Sequence, residues 1–557
     1  MTVIRRGDFV ASTLQSMSWR QLAITALGSY IVYKILSPVY AFWKNNRSPL
    51  RKLPGPSTGG NFLFGHTLAA FKDESNNLQR GWVRDYGETF VIRGMLGNYQ
   101  LITTDTRANT HILFASHIYQ KPSFERAIIT GFLGEGLLST EGEQHRDQRR
   151  ILNPAFGFSH IRDMTEIFLD KSALLREVLT NKCIDAGGTA RIDVLDWLSK
   201  ATLDIIGKAG FDYEFDTLNE NGAMDELAKA FDEVLRKDAS KWDQIRMLVN
   251  YQFPVIRAIA PGSSERASEF GKKKMNEIGM RIIQEKKQAI LEEMGGGRIE
   301  KKAVGGKDLI SLLLQANLAA DLQPSQRLSD REVLAQIPSF LVAGHETTSN
   351  TTTWAMYSLA TNPKTQKKLR AELLEVTTEN PTLDMLNALP YLDYVTRETL
   401  RIHNALGQST REATQDDIIP LGTPIQDRSG NLVSSIKVNK GDQVHVPIFL
   451  VNHSKEIWGP DADEFRPERW ENVPSEASTI PGITPNLMTF IGGPRGCIGH
   501  RFAVAEIKAL LFHMVRGFEF SLAVDPSEVY SKSGGIARPQ LRKDNSVQLP
   551  IYITPVA

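Results

Sequence analysis

One short stretch near the carboxyl end, Phe490-Ile491-Gly492-Gly493-Pro494-Arg495-Gly496-Cys497-Ile498-Gly499, constrains this chain more than any other. A lone cysteine is usually a small core hydrophobe. Here glycines on both sides let backbone N–H groups approach a sulfur, and Arg495 can neutralise an adjacent carboxylate. An apolar helical pattern begins near Phe502, and a helix start favours thiolate over thiol. The stretch reads as a nest for a sulfur anion. Its five fixed residues, F-x-x-G-x-R-x-C-x-G, should arise by chance on the order of once in several thousand chains of this size. The other cysteine, Cys183, has no comparable neighbours and reads as structural. Two cysteines in 557 residues exclude a disulfide framework and a Cys-rich zinc site, and they place the body of the chain in a reducing compartment.

Lys and Arg number 65 against 64 Asp and Glu, a formal charge of +1, so no global field draws the chain to nucleic acid. At 41% hydrophobic and 23% charged it is an ordinary folded protein. No linker is long enough to separate domains, so one large domain is expected. Thr89–Ile92 and Tyr99–Thr103 flank a Gly-containing turn and read as a hairpin. Amphipathic stretches fill most of 159–380, giving a mainly α body with minor β at its two ends. The Gly-rich charged run around 294–307 reads as a surface loop. The apolar segment 245–261 reads as a core helix or a membrane-contacting patch.

Leu22–Leu36 is mostly apolar apart from Lys34, and Tyr40, Phe42 and Trp43 follow it with the basic residues Lys44, Arg47, Arg51 and Lys52. This pattern predicts a membrane anchor within residues 1–44 and a cytosolic downstream chain. Leu53-Pro54-Gly55-Pro56 predicts a stiff, non-helical joint over 45–60, leaving 61–557 as the catalytic body.

Ala343-Gly344-His345-Glu346-Thr347-Thr348-Ser349 sits inside a helical pattern running from about 330 to 361. Glycine costs roughly 1 kcal/mol relative to alanine there, and hydroxyls can bond back one turn, so local widening or bending is expected. Glu398 and Arg401 share a helical face, and Arg469 lies downstream in Phe465-Arg466-Pro467-Glu468-Arg469-Trp470.

In the cysteine loop and in these two helices the chain resembles the cytochrome P450 superfamily, in the style of its fungal, membrane-anchored microsomal members. The resemblance implies the cytochrome P450 fold, with haem b held by Cys497 as axial iron ligand and the surrounding Phe490, Arg495 and Gly499 as cofactor-binding residues. It implies that Ala343 and Gly344 leave space over the haem, that Thr347 hydrogen-bonds dioxygen, and that Glu346 helps relay protons. Glu398, Arg401 and Arg469 would close a buried structural triad. Arg149, Arg411 and Arg495 would bind the haem propionates, and His145, standing where many members have Trp, would be a further donor. Asn404 replaces a frequent Pro, which leaves the shape of the 404–410 turn open.

The activity implied is monooxygenation of an apolar small molecule by O2, the substrate being a terpenoid or another specialised metabolite. Residues between Tyr119 and Leu138, around Phe340 and near Leu406 would line its pocket. The Gly131–Gly136 run lacks dinucleotide-loop spacing and no flavin domain is present, so electrons would come from a membrane-bound NADPH-cytochrome P450 reductase. Attachment to the endoplasmic reticulum with the catalytic body in the cytosol follows from the same resemblance. A long loop is expected between Ile419 and Val444. Two rival classes share the cysteine loop: a thiolate-haem isomerase or dehydratase, against which the acid-alcohol pair speaks, and a non-catalytic haem-binding protein.

Overall fold

The computed structural model describes residues 18–57, 64–219, 246, 262–293, 308–318, 327–532 and 535–556. The run around 294–307 and the segment 245–261, Arg246 apart, lie outside them. The helices that matter here are α1 (Trp19–Asn45), α2 (Thr106–Phe114), α3 (Gly142–Leu152), α4 (Phe158–Asp185), α5 (Val194–Phe211), α6 (Asp330–Thr361), α7 (Pro390–Ile402) and α8 (His500–Gly517). Helix α6 starts on a capping box. Ser329 Oγ accepts from the Glu332 N–H at 3.3 Å and Glu332 Oε2 accepts from the Ser329 N–H at 3.0 Å, so two of the orphan donors at the helix start are satisfied. Helix α6 packs on α5, α7 and α8, and buries Leu341, Ala355, Met356 and Leu359 among them.

The largest sheet has strands β1 (Thr89–Arg93), β2 (Tyr99–Thr103), β3 (Tyr119–Gln120), β4 (Ser409–Ala413) and β5 (Gln443–Val446) in the order β1-β2-β5-β4-β3. β1 and β2 form the expected hairpin, Thr89 opposite Thr103, while β2 and β5 run parallel. The stretch expected to be a long loop between Ile419 and Val444 is instead a hairpin. Asp417–Gln426 pairs with Leu432–Val438 across a turn in which Gly430 takes φ +83°. Its β-branched residues and the Asp427-Arg428-Ser429-Gly430 turn carry that signal in the sequence.

At the amino end, α1 is one helix through Lys34 and Pro38, and it exposes Trp19, Ile24, Val32, Tyr33, Leu36, Val39, Tyr40 and Trp43. Among the described residues no helix is long and apolar enough to cross a membrane. The Pro-rich joint is not a free spacer where it is described. Pro49–Lys52 makes a 3-10 turn, Leu50 and Leu53 are buried, and the Val91 N–H donates to Pro54 O at 2.9 Å. A Cβ on Gly55 would lie 1.9 Å from Val91 O, so the chain passes too close to β1 for any other residue.

Glu398, Arg401 and Arg469 meet with their side chains at most 1% exposed. Arg401 reaches Glu398 through Nε at 2.9 Å and Nη2 at 2.8 Å, a bidentate pairing. Arg469 Nε adds a longer contact at 3.4 Å, and the Arg466 N–H and Trp470 Nε1 complete the shell at 3.0 Å each. Arg401 Nη1 also holds Asn452 O and Ala462 O, and Arg469 holds Trp458 O and Asp461 O. The triad therefore pins the irregular chain from 452 to 470 onto α7. Replacing Arg401 by Ala strands a buried carboxylate and is expected to cost about 3 to 5 kcal/mol, read as a lower urea midpoint. An unchanged midpoint would mean that this segment stands without the pair.

Candidate active site

The cysteine loop leads into α8 by closing on itself. The Cys497 N–H donates to Phe490 O at 2.8 Å, and the Gly496 N–H to Gly493 O at 3.0 Å. A Cβ on Gly492 would sit 1.6 Å from Pro481 O. Gly493 has φ +69°, and a Cβ there would lie 2.5 Å from Leu113 O on α2. Close approach, as much as turn geometry, thus requires both glycines. The Phe490 ring lies 6.2 Å from that of His500, and Cys497 stands three residues before the start of α8, with Gly499 as N-cap.

Burial pushes the Cys497 thiol up, while the Gly499 N–H and the Arg149 guanidinium oppose that by favouring thiolate. Arg149 Nη1 donates to Gly496 O at 2.6 Å, so it braces the loop as well as facing its sulfur. Cys497 is densely surrounded by protein, yet its residue surface stays accessible. Cys183, by contrast, is buried and donates its S–H to Ile553 O at 3.5 Å.

Helix α6 supplies the acid and the alcohol. Ala343 is exposed and Thr347 half-buried in a helix otherwise largely buried from Val333 to Ala360. Thr347 Oγ1 donates to Ala343 O at 2.6 Å, and Thr351, Thr352 and Thr353 bond back one turn in the same way. With its hydroxyls so satisfied the stretch is α-helical throughout, without the expected widening. Gly344 does not leave space beside Ala343. A Cβ on it would meet Ile206 Cδ1 at 2.9 Å, so its smallness serves packing against α5. His345 turns the same way, its Nε2 lying 2.7 Å from Ser199 Oγ. Glu346 is buried and its Oε1 accepts from Arg538 Nε at 2.6 Å.

A cluster of cations adjoins the loop. Lys121, unremarked in the sequence, is pushed down to about 7 by burial and by the neighbouring charges of Arg411 and Arg495. Burial and Arg126 hold Arg495 down at about 10. Arg411 is buried and donates to Ser409 Oγ and Thr410 O. Glu141 pairs with Arg495, and Glu125 faces Lys121 and Arg411. Among the described residues these cations outnumber the carboxylates, and their mutual repulsion calls for further negative charge. Such a set would suit a cofactor that brings two carboxylates, which Lys121, Arg411 and Arg495 would hold, and a metal that Cys497 would hold. His145 is buried and pushed down to about 4 by burial, Arg149 and Lys121, so it is neutral at pH 7. Gln148 Oε1 accepts from Thr140 and from Gln336 Nε2, stitching α3 to α6.

The cytochrome P450 family model matches residues 54–545. The chain is a cytochrome P450. Cytochrome P450 monooxygenase 205 of Postia placenta is 47% identical to it over 543 residues, 96% of this chain and 99% of that protein. Monooxygenase 128 of the same fungus is 43% identical, covering 97% and 98%. The ganoderic acid synthetase of Ganoderma lucidum is 33% identical, covering 93% and 97%. A cytochrome P450 carries haem b on a cysteine thiolate, and this one is a haem monooxygenase with a small-molecule substrate and O2 as co-substrate.

On the substrate side, the helix Ser123–Leu133 is rich in apolar residues, yet none is buried, and Phe132 is 39% exposed. Leu406 is likewise exposed. Phe340 is buried edge-on against Phe156, ring centroids 5.5 Å apart. Asn404, in place of the family's frequent Pro, closes the end of α7, donating to Leu400 O and Thr489 Oγ1 and so tying that turn to the residue before Phe490. His145, His445 and His513 are each lowered from 6.5 to about 4, chiefly by burial. Between those values the unfolded chain binds protons that the folded P450 does not, so stability should fall as the pH drops through this window. The slope should be at most about 1.4 kcal/mol per pH unit per group. Urea midpoints of His145→Gln should show a flatter pH dependence than the parent, and an equal slope would mean that His145 titrates normally.

Proposed function

We propose that Cys497 is the axial ligand and that the P450 oxidises an apolar specialised metabolite, a terpenoid being the substrate class we favour. The observation that carries this reading is the Cys497 sulfur set between the Gly499 N–H and Arg149, beside a cluster of cations that outnumber their carboxylate partners. Haem, when bound, supplies dioxygen activation, and thiolate donation favours O–O cleavage. The balance is RH + O2 + two electrons + two protons giving ROH + H2O.

The chain's own residues do the rest. Arg149, Arg411, Arg495 and Lys121 neutralise the propionates, and neutral His145 can donate to one of them. Phe490 and Gly499 shape the sulfur's surroundings. Ala343 leaves room beside Thr347, whose hydroxyl can turn from Ala343 O toward dioxygen, and Glu346 restores its proton. The exposed apolar face of Ser123–Leu133 and Leu406 receives the substrate, and the name of the Ganoderma relative supports a specialised metabolite.

Lacking a nucleotide or flavin motif, the enzyme takes electrons from an NADPH-cytochrome P450 reductase. Membrane attachment through residues 1–44 at the endoplasmic reticulum, with the body from 61 onward in the cytosol, is supported by the exposed aromatic and aliphatic side chains of α1 and by Arg47, Arg51 and Lys52 after it.

The reduced, carbon-monoxide difference spectrum tests the ligand. A thiolate-type red-shifted band is expected, lost in Cys497→Ser; the same band in both proteins would remove Cys497 from the role. Thr347→Ala is expected to keep the band but divert NADPH electrons to hydrogen peroxide. Unchanged coupling of NADPH to product would count against the hydroxyl's part in proton delivery.

A further inference from the structure

Arg538 has no part in the sequence motifs, yet it grips Glu346, the buried acid in the middle of the oxygen helix. It belongs to Ile536-Ala537-Arg538, just before the strand Pro539–Leu541. That segment is fixed on two sides. The Ala537 N–H donates to Ala405 O at 2.9 Å and Ile536 bridges Leu406, while Trp354 Nε1, two turns beyond Glu346 on α6, donates to Ala537 O at 2.7 Å. From this base Arg538 Nε donates to Glu346 Oε1 at 2.6 Å, and Nη2 pairs with the same oxygen. Both nitrogens address Oε1, and Oε2 accepts no hydrogen bond from the guanidinium. The Glu346 side chain is 9% exposed and that of Arg538 24%, so the pair joins the interior of the oxygen helix to a wetter margin.

A carboxylate that must pass protons one at a time needs a defined orientation and a route for replacing each proton from water. A planar guanidinium engaged through two nitrogens sets the orientation of its partner far better than a flexible ammonium would. We propose that Arg538 is a positioning residue for proton delivery, holding Oε1 of Glu346 so that Oε2 is the oxygen presented to the Thr347 side of the helix. This rests on the relay reading of Glu346.

The test uses full-length, haem-loaded protein in four forms beside the parent: Arg538→Met, Arg538→Lys, Glu346→Gln and the Met/Gln double variant. The carbon-monoxide difference spectrum is checked first, and if Arg538→Met does not load haem, Arg538→Gln takes its place. Two readouts follow: the infrared C–O stretch of the dithionite-reduced carbonyl complex, and the partition of O2 between hydrogen peroxide and water during NADPH oxidation with added reductase.

Arg538→Met is expected to move the C–O band and raise the peroxide share several-fold, as Glu346→Gln does. The double variant should go no further than Glu346→Gln alone, and Arg538→Lys should recover part of the parent's behaviour. A band and partition at parent values in Arg538→Met, with Glu346→Gln altered, would overturn the role of Arg538 and leave the relay standing. Additive effects in the double variant would overturn it as well. Parent values in Glu346→Gln would instead remove the relay, and the inference with it.

Discussion

A carboxylate with no access to water, Glu398, is what the site depends on. Stripped of solvent, an ionised carboxylate is tolerable only if its lone pairs are filled by donors already in place. Arg401, Arg469, the Arg466 N–H and the Trp470 indole fill them. The same two arginines then spend their remaining N–H groups on backbone carbonyls between Asn452 and Glu464. A segment with almost no regular structure of its own thereby acquires a single position. Asn452 extends that order to the cysteine loop, since its side chain bonds Thr489 Oγ1 and the Met488 N–H. The ion pairs thus act less as a source of net stability than as a means of specifying one arrangement of a long irregular chain that must end at Cys497.

The loop meets a second electrostatic difficulty, because a sulfur anion is to be held where burial favours the neutral thiol. One backbone N–H and one guanidinium oppose burial, and the helix that begins at His500 adds its positive end. The cations around Lys121 and Arg411 present the opposite problem, being crowded and short of counter-charge. On the proposed reading a haem would resolve both at once, Cys497 holding its iron and the cations its propionates. On that assignment one cofactor answers both halves of the site.

Much of this was legible in the sequence because each part is carried by residues close together along the chain. The cysteine loop, the i,i+3 pair of Glu398 and Arg401, and the ends of α6 with its Ser329 and Glu332 capping box are local patterns. What escaped reading is non-local. Lys121 belongs to the cation cluster only because β3 lies beside β4, which carries Arg411. Gly344 looks like an opening in the oxygen helix until α5 is placed against it with Ile206 at the contact. The hairpin from Asp417 to Val438 was different: its turn residues were available, and alternation weakened by Pro420, Gly422 and Pro424 hid the strands.

Arg538 extends the same lesson to chemistry. The acid-alcohol pair is adjacent in sequence, and adjacency suggests that Glu346 and Thr347 suffice for each other. On a helix, however, consecutive side chains diverge by about 100° and do not face each other directly. Thr347 satisfies itself on Ala343 O, and Glu346 looks instead toward Arg538, nearly two hundred residues later. Since neither side chain bonds the other, whatever orients the acid must lie outside the helix. A guanidinium anchored between Ala405 and Trp354 has the rigidity to do so. The site is then built from three distant parts of the chain: a loop for the sulfur, a helix for the acid and alcohol, and a carboxyl-terminal segment that sets how the acid is presented.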